Sequence, residues 1–149
     1  MPQKSKYLLV DGHSVIFQIR ELHQLHSRKP SQARQQLIQQ LQQFHDTSEW
    51  LITLVFDGTQ GSAQAPEPGQ IAILYSTSQA SADSIIERIV AQNSHPERIT
   101  VITADRAEQN TVESLGAFSL SPDWLIHEIL ENSSDFQSRL DEIHRKSQW

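Results

Sequence analysis

The sequence contains no cysteine. Disulfides, thiolate zinc sites and a cysteine nucleophile are therefore excluded, and the absence fits a reducing cytoplasm, the compartment expected for the chain. No apolar run is long enough to span a bilayer, so no membrane association is expected. No secretory leader is expected either, because Met1 to Lys6 is polar and runs straight into a strand. Cations are scarce: 12 Lys and Arg stand against 18 Asp and Glu, a formal charge of −6. Nonspecific coating of nucleic acid needs a cationic surface and is disfavoured by that balance. A nuclease is not excluded, because site acids lower the net charge and bound cations reverse it locally. The glycines form no dinucleotide fingerprint after any strand and no G-x-x-x-x-G-K-S/T loop, so no nucleotide cofactor is expected. Internal repeats are absent as well.

What the chain does have is apolar blocks in a regular order. At 149 residues it reads as one domain, burying about two-thirds of its unfolded surface. The domain is expected over 1–132, with 133–149 a tail that is a short helix or mobile. Tyr7-Leu8-Leu9-Val10-Asp11-Gly12-His13-Ser14 is an apolar run ending abruptly in an acid. That is how a buried parallel strand delivers a carboxylate to the carboxyl edge of a sheet, where open α/β folds bind ligands. Val15 to Leu25 carries Val15, Ile16, Ile19, Leu22 and Leu25 at helical period and reads as one helix. Ser31 reads as the N-cap of the next helix, which runs to about Phe44 with a glutamine-rich solvated face.

Leu51 to Phe56 is a second buried strand, ending in Asp57-Gly58. Thr59 to Gly69 reads as a loop, and Ile71 to Tyr75 as a short strand whose direction is open. Ser81 to about Gln92 is a helix with Ile85, Ile86, Ile89 and Val90 as its apolar face, leaving Asp83 and Glu87 along the stripe's border. Ile99 to Ile102 is a strand leading through Thr103-Ala104-Asp105-Arg106 into a helix that ends at Gly116. Ala117 to Leu120 is a fifth strand. Ser121-Pro122 opens a last helix carrying Trp124, Leu125, Ile129 and Leu130. Strands alternating with helices indicate a three-layer α/β/α sandwich with a mostly parallel five-stranded sheet.

Asp11 and Asp57 end strands, Asp105 follows one, and Asp83 opens a helix fed by one. With parallel strands, all four point to one edge. Converging carboxylates repel unless a cation occupies the site, and Mg²⁺ needs only a few acids because it keeps several waters. Such a site can activate water and neutralise a phosphodiester. Each acid also has a plain alternative: Asp-Gly after a strand is a turn, Asp83 suits a helix dipole, and Asp105 suits an N-cap. His13 is a candidate ligand or acid–base group. The other histidines, His23 and His26 among them, read as surface or packing residues. Ser14 next to His13 lacks the G-x-S-x-G elbow of a serine hydrolase.

Several stretches together resemble one family. Leu8-Leu9-Val10-Asp11-Gly12-His13-Ser14-Val15-Ile16 resembles the LLVDGYNVI opening of YacP-like NYN domains, which are PIN-like nucleases. Val55-Phe56-Asp57-Gly58 resembles their VFDG. Ser81 to Arg88 is similar to their T-A-D-D/E-x-I-E, and Thr103 to Gln109 to their T-S-D-x-x-x-Q. Leu115-Gly116-Ala117 with Ser121 matches the family's ending. The resemblance implies a PIN-like fold with strand order 3-2-1-4-5. It also implies a metal-dependent endoribonuclease acting on RNA and associating with the ribosome. Asp11, Asp83 and Asp105 would hold Mg²⁺ or Mn²⁺, and Asp57, the fourth catalytic acid, would line the same pocket and either ligate or position water. For a nuclease, Ser14, Arg88 and Arg106 are the candidate substrate-binding residues, and substrate phosphates would be met by some of Arg20, Arg34, Arg88 and Arg106. His13-Ser14 stand where the family carries Tyr-Asn, and Ser84 where it carries a second acid. These departures motivate an alternative, an RNA- or ribosome-binding module with weakened catalysis. A small-molecule phosphohydrolase on the same cradle is a third option.

Overall fold

A computed structural model describes residues 4–58 and 66–132. Five strands form one all-parallel sheet: β1 (Lys6–Asp11), β2 (Trp50–Phe56), β3 (Ala72–Tyr75), β4 (Ile99–Ile102) and β5 (Phe118–Leu120), in the order β3-β2-β1-β4-β5. The third strand, whose direction the sequence leaves open, pairs parallel to β2. The helices are α1 (Gly12–Gln18), α2 (Arg20–Arg28), α3 (Pro30–Thr47), α4 (Ala82–Gln92) and α5 (Arg106–Ser114). A sixth, α6, covers 122–132, and a 3₁₀ turn spans Pro96–Arg98. Residues 59–65, most of the expected loop, and the expected tail at 133–149 lie outside the described residues.

Side chains alternate across each strand with a period of two, and two cores follow. Leu8, Val10, Ile52, Leu54, Phe56 and Ile102 face α1, α2, α3 and α6. Leu9, Val55, Ile99 and Val101 face α4 and α5, where Ala82, Ile86, Val90 and Val112 meet them. Continued by one or two residues, the same alternation aims Asp11, Asp57 and Thr103 toward the α4/α5 layer. The pleat therefore selects the face of the site.

Three expectations are corrected. Val15 to Leu25 is two helices, broken at Ile19, which is extended at φ −92° and ψ 115°. The break keeps its hydrogen bonds, because the Ile19 N–H donates to Val15 O (3.2 Å) and Ile19 O accepts from the His23 N–H (2.8 Å). The third helix begins before Ser31, with Pro30 in its first turn, where a missing N–H costs nothing. Gln42 is not simply solvated: its Nε2 donates to Gly69 O (2.9 Å) and its Oε1 accepts from the Ile71 N–H (3.0 Å), which tethers the approach to β3. Leu130 stays 64% exposed, while Leu125 is the residue of α6 that enters the core.

Candidate metal centre

Asp11 ends the central strand and is 7% exposed. Its Oδ2 accepts from the Ser14 hydroxyl (3.0 Å), and Ser14 Oγ in turn accepts from the Ala104 N–H (3.1 Å). One serine thus ties the exits of β1 and β4 together. Thr103, fully buried, is the second tie. Its hydroxyl lies 2.9 Å from Glu108 Oε2 and 3.2 Å from Asp11 Oδ2, and it accepts from the Asp105 N–H (3.1 Å). A hydroxyl has one proton to give, so it can satisfy only one of the two carboxylates at a time.

Asp83, in the first turn of α4, completes the cluster. Asp11, Asp83 and Glu108 each offer a carboxylate oxygen within 4.8 Å of the others. Glu108 is 2% exposed, and its Oε1 is buried with no hydrogen-bond donor. Its neighbours in the cluster are acceptors like itself. Burial, followed by a hydrogen bond with Asp83 and then the nearby Asp11 and Asp83 charges, pushes the Glu108 carboxyl up to about 8, against the bond from Thr103. Burial also raises Asp11, with Asp83 adding to it and Ser14 and Thr103 opposing. Leaving a buried acceptor without a donor costs about 1–3 kcal/mol. A proton or a cation removes that cost. Three oxygens drawn from three elements of the fold, two of the acids buried, suit a hard divalent ion.

The structure brings Asp11 and Asp83 together and puts Glu108, not Asp105, beside them. Asp105 is exposed and caps α5, its Oδ1 accepting from the N–H groups of Ala107 (2.9 Å) and Glu108 (3.3 Å). Asp57 is exposed too, and its Oδ1 accepts from the Ala82 N–H (3.1 Å) at the start of α4. Each of these acids commits an oxygen to positioning the helix that carries a cluster acid. Ser84 is engaged with the N-cap Ser81, its N–H donating to Ser81 Oγ (3.2 Å). Arg88 and Arg106 are exposed on α4 and α5, the layer that faces the cluster; Arg20 is exposed on α2, and Arg34 half-buried on α3.

Glu108 was absent from the candidates read in sequence, although a signal stood there. Asp-x-x-Glu at 105–108 has the form of a capping box, in which the glutamate would bond back to the N-cap N–H. Here Thr103 takes that N–H, which frees Glu108 to turn into the site.

A family model for the YacP-like NYN domain matches residues 8–149. The chain belongs to the YacP-like NYN domain family. An uncharacterized protein YacP of Bacillus subtilis (strain 168) is 27% identical over 125 residues, covering 82% of this chain and 74% of that one. Two crystal structures of Rae1 (YacP) from Bacillus subtilis, one of a mutant, superpose with TM-scores of 0.81 and 0.80 at 24% identity. They cover 94% and 95% of this chain, and it covers 84% and 83% of theirs. That likeness shows the fold, including the open parallel sheet of order 3-2-1-4-5. For this YacP-like NYN domain, family membership supports an RNA-related function and a site of the kind that takes divalent metal. No helix among the described residues is long and apolar enough to cross a membrane.

Proposed function

We propose that this NYN domain is a divalent-metal-dependent endoribonuclease that hydrolyses RNA phosphodiesters. The observation that carries the reading is the buried Glu108 carboxylate, one oxygen of which has no donor, gathered with two further carboxylates at the carboxyl edge of a parallel sheet. Asp11, Asp83 and Glu108 would hold Mg²⁺ or Mn²⁺. When bound, such an ion supplies activated water and neutralises charge on the phosphodiester. The protein's own part is to fix the cradle. Ser14 holds Asp11 in one orientation, and Thr103, between Asp11 and Glu108, anchors one of the two at a time. Asp57 and Asp105 set the starts of α4 and α5. Arg88 and Arg106 supply exposed cations for substrate phosphates in an otherwise acidic chain. Association with the ribosome is part of the proposal on the family resemblance alone.

Single-stranded RNA incubated with Mn²⁺ should be cut by the wild-type protein, and neither by the Asp11→Asn variant nor in EDTA. Full activity in Asp11→Asn would overturn the reading. A second reading, RNA binding with weakened catalysis, is favoured by one observation: Asp57 and Asp105 each spend an oxygen on a helix start. RNA binding without Mn²⁺-dependent cutting would select it.

A further inference from the structure

Across the β1 exit from the acid cluster, on the α1/α2 layer, four rings gather. Phe17, one helical turn after His13, is 49% exposed. Its ring centroid lies 5.1 Å from His23, 5.3 Å from His26 and 5.7 Å from His13. His13 and His26 meet edge to face at 5.3 Å. The patch is anchored at its inner end, where His13 packs edge-on against the buried Phe56 at 6.0 Å. There its Nδ1 accepts from the Asp57 N–H (3.3 Å), which leaves the proton on Nε2. A single exposed phenylalanine carries no meaning on a protein surface. Here its packing partners are three imidazoles, polar enough to face water and flat enough to stack. His13 stands two positions after Asp11, at most ~7 Å between Cα atoms, so the rings begin within a nucleotide or two of a phosphate held at the cluster.

We propose that Phe17, with His13, His23 and His26 around it, is a stacking platform for an unpaired base of the RNA strand whose phosphate lies at Asp11, Asp83 and Glu108. The proposal rests on the nuclease reading and names a subsite for it. The chemistry suits the occupant. Every base has a π-face, so aromatic side chains hold single strands with little regard to sequence, and this stacking is worth more than a surface ion pair. It also supplies what the charge balance lacks, because a chain of net charge −6 cannot hold RNA by phosphate contacts spread over its surface. A paired base presents no free face, so the platform would favour unpaired substrate.

Fluorescence anisotropy with a labelled, single-stranded 2′-O-methyl RNA decamer, which resists hydrolysis, tests this in the full chain with Mn²⁺ present. Phe17→Ala should weaken binding on the order of 10-fold, and Phe17→Trp should restore it to within about 2-fold. The salt slope of log Kd should be the same in all three proteins, because no phosphate contact is lost. An abasic substitution walked along the decamer should mimic Phe17→Ala at one position and add nothing to it there. Equal affinity of wild type and Phe17→Ala, with the wild type binding RNA, would overturn the platform and leave the nuclease reading standing. A wild type that neither binds nor cuts RNA would overturn both.

Discussion

Among single residues, Asp105 and Glu108 exchange the roles their sequence neighbourhood suggests. Asp105 follows a strand and Asp11 ends one, and in one dimension both look like ligands. The difference lies in the pleat: Asp11 is the last strand residue and points inward, whereas Asp105 comes after the strand and starts a helix. Glu108 reaches the cluster only because Thr103 occupies the N–H that a capping glutamate would take. A capping aspartate replaced by alanine costs ~1 kcal/mol, while asparagine caps about as well. Thermal unfolding should therefore show Asp105→Ala destabilised by about that amount and Asp105→Asn nearly unchanged. Equal losses in both would mean that the charge at this position, not the cap, supports the fold.

At the scale of elements, the acids that end strands were legible, because buried apolar runs halt at Asp11 and Asp57 without ambiguity. The face each strand end presents was not. Leu8, Leu9 and Val10 are all apolar, so alternation leaves no mark in a strand buried on both sides. The break at Ile19 carries no proline or glycine to announce it. Without it His23 and His26 read as scattered residues; with it α2 folds back and brings them to Phe17. Gly12 shows how closely α1 approaches the sheet. A Cβ there would stand 2.5 Å from two ring atoms of Phe56 and 3.2 Å from Val55 O. Phe56 is fully buried and has little freedom to yield. Gly12→Ala should cost about 1–3 kcal/mol through overpacking, lowering Tm by roughly 3–10 °C in a chain of this size. An unchanged Tm would show that the ring can move aside.

For the molecule as a whole, the acid cluster ties stability to pH and metal. Glu108 holds its proton up to about 8 in the fold, against an ordinary value of 4.5. The native state therefore binds more protons than the unfolded chain between those values, and stability falls as pH rises. The contribution is complete below about 4.5 and gone above about 8. Metal-free protein should lose Tm between pH 5 and pH 8. Glu108→Gln, which cannot release a proton, should flatten that slope, and Mn²⁺ at pH 8 should restore the lost stability by binding only the folded state. An equal slope in the variant would assign the effect to other groups.

Strand order and layers followed from ordered motifs, whereas the meeting of Asp83 on α4 with Glu108 on α5 required the assembled fold. That meeting is tested most directly by the Mn²⁺ dependence of RNA cleavage, measured side by side for wild type and Glu108→Gln. The expected result is no cleavage in EDTA and a half-saturating Mn²⁺ concentration on the order of 10- to 100-fold higher in the variant, as for loss of a ligand or its close support. Cleavage that persists in EDTA, or identical Mn²⁺ curves for the two proteins, would contradict a metal centre built on Asp11, Asp83 and Glu108.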